Sequence, residues 1–342
     1  MDDQNKNLIL ATALSFLVIL VWFVVFPPPE PELPLDAQEA SELTPNATTG
    51  SLPSVTTETP ATAASETETR TAALETAPRI EIETDRLSGS ISLLGGRIDD
   101  LSLKDYRETQ EEDAEIVTML SPVGSPGAYY ALYGWAAGAG VEPTAVPGPN
   151  TEWTQTGGSV LSTGAPVTLT WDNGAGLTFT RVIDVDADYM FSITQSVANT
   201  SDTAATMAPY GILARHGEPA DLKNFFILHE GVVAMADGEL TETDWSDMPD
   251  FVYDERERAR AEVTQVTQNG WVGFTDHFWM STLIPAPGSA FKSVAKYDER
   301  RDIYQAETVL PAQTVAPGTS ITTTTQLFAG AKEWETIRDY QS

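Results

Sequence analysis

Nineteen consecutive residues, Leu8 to Phe26 (LILATALSFLVILVWFVVF), carry no charge, and no other stretch of the chain limits its folding so strongly. Only Thr12 and Ser15 break the apolar run, and both hydroxyls can bond back to a helix backbone. At about 1.5 Å per residue, a helix of this length measures roughly 28 Å, close to the hydrocarbon thickness of a bilayer. A cleaved secretory leader is the competing account. Its apolar region usually runs only about 7–15 residues. Here the run ends in Pro27-Pro28-Pro29-Glu30, without a small-residue cleavage pair, and the chain has no cysteine to carry a lipid. The segment is expected to be a transmembrane anchor, with Leu8, Leu14, Leu20, Trp22 and Phe26 among its lipid-facing residues.

Charge sets the expected orientation. Lys6 and the amino terminus lie upstream of the span, whereas no Lys or Arg follows it until Arg70. Basic residues close to a span stay on the cytoplasmic side. Residues 1–7 are therefore expected in the cytoplasm, and everything after Phe26 on the far side of a bacterial inner membrane, in the periplasm.

The formal net charge is −31, with a sequence pI near 4.2. Residues 1–26 contribute −1 and residues 27–78 contribute −8, so −22 remains for residues 79–342. So acidic a surface repels nucleic acid, which is excluded as a partner. Without cysteine there are no disulfides, thiolate metal sites or thiol nucleophiles.

Residues 27–78 contain no Phe, Trp or Tyr and are built largely from Pro, Thr, Ala, Ser and Glu. Such a segment buries too little apolar surface to offset its ordering entropy, and it reads as a disordered tether. At Arg79 the pattern changes. RIEIET (Arg79 to Thr84) alternates apolar and charged residues, the period-2 signature of a half-buried strand. Similar runs span Ser90 to Leu94, Val167 to Trp171, Leu177 to Val185, Tyr189 to Asn199, Gly270 to Asp276, Phe291 to Tyr297 and Ser320 to Phe328. Turn signals separate them, notably Gly95-Gly96 and Asp172-Asn173-Gly174. VTLTW–DNGAG–LTFTRV reads as an antiparallel hairpin. No long helical stretch intervenes, which argues against a parallel βαβ sheet. The expected fold is mainly β: a large antiparallel β-sandwich over residues 79–330. The charged run Tyr253 to Glu262 reads as a short surface helix, and residues 331–342 as a helical linker leaving the domain.

Four segments resemble, in order, the amino-terminal part of the bacterial YidC/Oxa1 family of membrane protein insertases, in its alphaproteobacterial style. They are the opening MDDQNKNLILATALSFLVILVW, GGRIDDLSLKDY (Gly95 to Tyr106), GWVGFTDHFWMSTLIP (Gly270 to Pro285) and LFAGAKEWETIRDY (Leu327 to Tyr340). The resemblance implies a β-supersandwich of the galactose-mutarotase type, and a role in inserting and folding inner-membrane proteins, alone or beside the Sec translocon. The implied partners are nascent inner-membrane proteins, the Sec translocon with its accessory subunits, and the bilayer through residues 8–26. In that family a five-helix core with an arginine-containing groove receives the substrate. Leu8 to Phe26 is the only run here long enough to span, so this chain is expected to anchor and present rather than to insert.

The mutarotase-type scaffold raises an alternative, a periplasmic carbohydrate-binding or mutarotase-like protein. Anomeric epimerisation needs an acid and a base flanking the sugar. The three histidines, His216, His229 and His277, sit beside acids at Glu218, Glu230 and Asp276. Neighbouring strand residues point to opposite faces, which places the adjacent pairs poorly. No catalytic residue is assigned. The DVDAD run (Asp184, Asp186, Asp188) lacks the Gly and closing Glu of a calcium loop, and it reads as a strand end and turn. No metal or cofactor is expected. The aromatic cluster Trp271, Phe274, Phe278 and Trp279 has two readings, core packing or a partner-docking patch with Trp271, Phe274 and Trp279 as its contacts, since exposed aromatics often anchor interfaces.

Overall fold

The structure, a computed structural model, describes residues 70–109, 111, 114–219, 222 and 229–341. The anchor at Leu8–Phe26 and most of the tether lie outside the described residues. Among those described, no helix is long and apolar enough to cross a membrane.

Two large sheets form the fold, and their strands are numbered in chain order. The larger, twelve-stranded sheet runs β14 (Tyr253–Asp254), β15 (Ala259–Val266), β18 (Phe291–Asp298), β19 (Ile303–Val309), β11 (Ala205–His216), β5 (Tyr129–Ala137), β3 (Arg97–Arg107), β2 (Leu87–Ser92), β1 (Arg79–Glu83) and β7 (Val160–Leu161). Strand β4 (Ile116–Leu120) adds to β3, and β20 (Gln313–Val315) to β11. The nine-stranded sheet runs β13 (Glu239–Asp244), β12 (Gly231–Ala236), β16 (Gly270–Thr275), β17 (Trp279–Pro285), β21 (Ser320–Ala331), β10 (Met190–Asn199), β9 (Leu177–Val185), β8 (Val167–Asp172) and β6 (Thr154–Gly157). Apart from the short parallel β1–β7 pair, the ladders are antiparallel. Helix α1 (Arg70–Leu74) buries Ala73 and pairs Arg70 with Asp100, so the ordered domain starts before the first strand. Helix α2 (Trp334–Gln341) follows β21. The mainly β sandwich expected from the strand pattern is what forms.

The expected hairpin closes as β8 and β9, with Val167 opposite Ile183. Its turn is held by side chains: Asp172 Oδ1 accepts from the Gly174 amide at 2.7 Å, and Asn173 Oδ1 from Ala175 at 2.8 Å. The surface helix expected over Tyr253 to Glu262 is absent. In its place the chain turns from β14 into β15. Asp254 Oδ1 accepts from the amides of Arg256 (2.7 Å) and Glu257 (3.1 Å), and Arg258 takes φ +54°. Helix propensity within the run loses to side-chain capping of the turn and to pairing of β15 with β18.

Strands β5, β11 and β19 show no period-2 signature because both of their faces are covered. One face joins the core between the sheets, with Tyr133, Leu213 and Ala306. The other carries a second apolar cluster that includes Tyr130, Leu132, Tyr210 and Ile212. A strand apolar on both faces reads as a continuous run rather than an alternation.

The Gly95-Gly96 turn is clamped from the opposite sheet. Arg181, on β9 and wholly buried, donates to Gly96 O at 2.8 Å and to Tyr133 O, with its guanidinium 4.6 Å from the Trp153 ring centre. A Cβ on Gly96 would lie 2.5 Å from Arg181 Nη1, and the residue sits at φ +63°. The left-handed φ favours glycine there, and any larger residue would also displace the Arg181 head group from its carbonyl partners. Burial lowers the Arg181 pKa to about 10, which leaves it charged at neutral pH.

Candidate functional site

The carboxyl-terminal end of the sandwich gathers the least expected cluster of polar side chains. Glu333, between β21 and α2, accepts hydrogen bonds from Arg86, from Tyr106 Oη at 2.6 Å, from Thr336 Oγ1 at 2.9 Å and from Tyr189 Oη at 3.1 Å. Arg86, in the turn between β1 and β2, also reaches Asp188 at 2.8 Å and Asp105 at 3.3 Å. Its guanidinium stacks 4.4 Å from the Tyr189 ring centre. Segments far apart in sequence thus converge on one carboxylate at the first turn of α2. Partial burial pushes the Glu333 pKa up, but the donated hydrogen bonds outweigh it and hold it at about 2.

At its other end, α2 is pinned by Tyr340. Its hydroxyl donates to Asp186 Oδ2 at 2.6 Å and accepts from the Tyr189 amide at 3.2 Å. The Phe328 ring lies 6.0 Å from that of Tyr340. Gly330 permits the close packing beneath, since a Cβ there would fall 2.1 Å from the Tyr189 ring. Before the helix, Lys332 donates to Thr275 Oγ1 at 3.0 Å and to Asp276 O, while its own amide bonds Phe278 O at 2.8 Å. Burial lowers the Lys332 pKa. The joint is a rigid exit from the sandwich, with Trp334 and Phe278 left exposed beside it.

The pH response of the joint follows from Glu333. Its folded pKa lies below the ordinary value of 4.5, so its stabilisation is complete above 4.5 and is lost as pH falls through about 2. The protection factors of the α2 amides, taken against the intrinsic exchange rate at each pH, are expected to fall on acidification from about pH 5 towards 2. In Glu333→Gln the same amides should already exchange fast at neutral pH, with the strand core unaffected. Equal protection in wild type and variant at pH 7 would remove Glu333 from this role.

The structure separates the aromatic cluster read from the sequence. Phe274 is 2% exposed and stacks on Trp245, ring centres 4.6 Å apart. Trp279 is half-buried, edge-on to Tyr106 at 5.0 Å. Trp271 is half-buried and lies opposite Met235 on β12. The histidines do not converge. His216 ends β11 in the larger sheet, beside Tyr130 at 3.4 Å. His229 precedes β12, with Nδ1 2.9 Å from Asp244 and Nε2 2.8 Å from Val232 O. His277 occupies the β16–β17 connection. The DVDAD carboxylates cap a turn: Asp186 Oδ1 accepts from the amides of Asp188 (2.9 Å) and Met190 (3.0 Å).

Glu333, Arg86 and Tyr189 escaped the reading of the sequence because their partners lie as far as 247 residues apart. The only local trace is the AKEWETIRDY run, where a charged and aromatic stretch follows the last strand.

Residues 79–342 match the family model described as the YidC periplasmic domain. The membrane protein insertase YidC of Roseobacter denitrificans is 75% identical over 342 residues, all of this chain and 56% of that protein. The corresponding protein of Ruegeria pomeroyi is 61% identical, again over 100% of this chain and 56% of its own length. The chain therefore spans about half the length of the relatives it matches. Among solved structures, a galactose mutarotase related enzyme from Lactobacillus acidophilus aligns with a TM-score of 0.48 and 10% identity, over 74% of this chain and 97% of its own. The family pattern runs from the first strand of the larger sheet through the Glu333 joint to the last residue, and the chain belongs to the YidC periplasmic domain family.

Proposed function

We propose that this chain is the anchored periplasmic portion of a membrane protein insertase that helps insert and fold inner-membrane proteins, alone or with the Sec translocon. The observation that carries the reading is 75% identity, along the whole chain, to a protein named as such an insertase. In this reading residues 8–26 hold the chain in the inner membrane with residues 1–7 in the cytoplasm. Residues 27–69 then act as the tether, shorter than the 27–78 expected because α1 packs on the domain, and the sandwich stands in the periplasm. Nascent inner-membrane proteins and the Sec translocon are its partners, and the bilayer contacts residues 8–26. The role is non-enzymatic: a fixed platform with a stiff exit at Glu333 suits holding and positioning.

Depleting the protein in its own cells and following newly made single-span proteins by protease protection tests this reading. Insertion should slow within a generation of depletion. Unchanged insertion of every substrate tested would overturn it.

Trp279 is the aromatic we place at a contact with a Sec-associated subunit. Trp279→Ala is expected to reduce copurification of that subunit several-fold. Stability should fall by less than about 3 kcal/mol, because the ring is only half-buried and loses its pairing with Tyr106 together with part of its apolar burial. A loss of 3 kcal/mol or more, on the order of a large core truncation, would assign Trp279 to packing instead.

A further inference from the structure

Strand β13 forms one edge of the nine-stranded sheet, paired with β12 and with no other strand among the described residues. One face of this edge carries an apolar row. Leu240 lies opposite Met235, and Met235 opposite Trp271, across three adjacent strands. Directly opposed residues share a face, so the row runs from the interior of the sheet out to its edge. There Leu240 is 51% exposed. Beside the row opens a shallow hollow of about 600 Å³, lined by Met235, Asp237, Asn269 and Trp271 among others.

The hollow is preformed. Asp237, at φ +50° in the β12–β13 turn, accepts from the amides of Thr267 (2.8 Å), Gln268 (2.9 Å) and Asn269 (3.2 Å). One carboxylate thus ties the β12–β13 turn to the β15–β16 turn. Gly270 admits the close approach of the strands, since a Cβ there would lie 2.3 Å from Met235 O.

Charge identifies the kind of occupant. Residues 229–255 contain nine Asp and Glu and no Lys or Arg. On β13 itself, Glu239 and Glu242 are exposed and have no side-chain partner among the described residues, whereas Asp244 is bonded to His229. Acidic residues on an edge discourage pairing with a second copy of the same strand. They leave the backbone groups available to a strand of opposite charge.

We propose that the β13 edge docks an extended, basic segment of a partner polypeptide as an added strand. On one face of the added strand its cations would lie against Glu239, and on the other an apolar side chain would cover Leu240, with Glu242 flanking it on that same face. Main-chain hydrogen bonds supply the affinity in this mode, while alternate side chains supply the specificity. The proposal stands independently of the insertase reading.

The test uses the full chain in detergent micelles and a fluorescent peptide of alternating Lys and Val. Controls are a Glu-Val peptide and a Lys-Val peptide interrupted by Pro, which cannot complete a ladder. The Lys-Val peptide should bind in the micromolar range and slow hydrogen exchange at the amides of residues 239–244, but not at β6 on the opposite edge. Glu239→Lys/Glu242→Lys should weaken binding at least about 10-fold, and Leu240→Ala at least about 3-fold. Glu262→Lys, an exposed substitution in the other sheet, should leave it unchanged. If charge reversal disturbs the hairpin, Glu239→Gln/Glu242→Gln serves in its place. The proposal is overturned by absent binding up to about 1 mM peptide, by equal binding of the Pro-interrupted peptide, by equal binding to the charge variants, or by protection elsewhere than β13.

Discussion

Lys296→Met is expected to destabilise the domain by about 3–5 kcal/mol, the usual result of stripping one partner from a buried ion pair. Lys296 is buried on the face of the larger sheet turned away from the main core. There its ammonium lies 2.6 Å from Glu307 and 3.5 Å from Glu257. Glu307 is 1% exposed, and its Oε2 has no hydrogen-bond partner among the described residues. Burial raises the Glu307 pKa. Burial would lower that of Lys296, but the two carboxylates prevail and raise it. Without the ammonium, Glu307 is a buried carboxylate with no cation against it, whereas Glu257 keeps Lys292 at 2.6 Å.

Two features distinguish this account from simple loss of packing. A carboxyl whose folded pKa is raised contributes stability below its unfolded value and loses it as pH rises through the folded one. The deficit of Lys296→Met should therefore shrink on acidification towards pH 4 and be largest above neutrality. Lys296→Met/Glu307→Leu should recover most of the loss, because an apolar pair can replace a buried ion pair at little net cost. Urea midpoints at pH 4 and pH 8 decide the matter. A pH-independent deficit, unrelieved by the second substitution, would mean that the lysine stem rather than its charge holds the site.

Phe274→Ala should cost about 3–5 kcal/mol, as expected for an aromatic removed from a closed core. Phe274 lies opposite Val232 on β12 and Ser281 on β17, and it faces the core between the sheets. It stacks on Trp245, which in turn meets Tyr304 at 5.2 Å, while Tyr129 approaches its edge at 6.2 Å. These four rings bridge the two sheets, so truncation leaves a hole that neither sheet can close by itself. The expected signature is a lower urea midpoint with an unchanged slope. Phe274→Leu, which retains much of the volume, should cost less than half as much. Near-wild-type stability of Phe274→Ala would return this ring to the candidates for partner contact.

Strands with one wet face could be read directly. For β9, the burial alternates along its whole length, and the sequence bounds Leu177–Val185 coincide with the folded ones. Period-2 patterning records a single interface, and the chemistry of that interface is local. Strands β5 and β11 break the rule because each contacts two apolar layers, and the second layer is created only when distant strands assemble beside them. The Tyr253–Glu262 run fails for the opposite reason. Its charges are compatible with a helix, but β18 offers a ladder that the local sequence does not announce.

The same division holds for the candidate sites. Trp271, Phe274 and Trp279 were visible within an aromatic cluster, yet Phe274 faces the core, Trp279 lies edge-on to Tyr106 by the α2 joint, and Trp271 lies opposite Met235 two strands in from the β13 edge. Strand alternation fixes only that neighbours point apart, and the fold fixes what each side meets.

By itself the sequence determined an apolar span, an acidic and cysteine-free composition, an antiparallel β class and the turns that punctuate it. Each of these depends on residues close together in the chain: hydropathy, periodicity and turn chemistry act over a few positions. Only the tertiary structure decided that Arg86, Tyr106 and Tyr189 would meet at Glu333, that Lys296 would be enclosed with Glu307, and that β13 would be left at an edge. Those outcomes depend on strand order and on register between segments up to hundreds of residues apart. Strand order and register follow from the summed burial of the whole chain, which no short window of sequence contains.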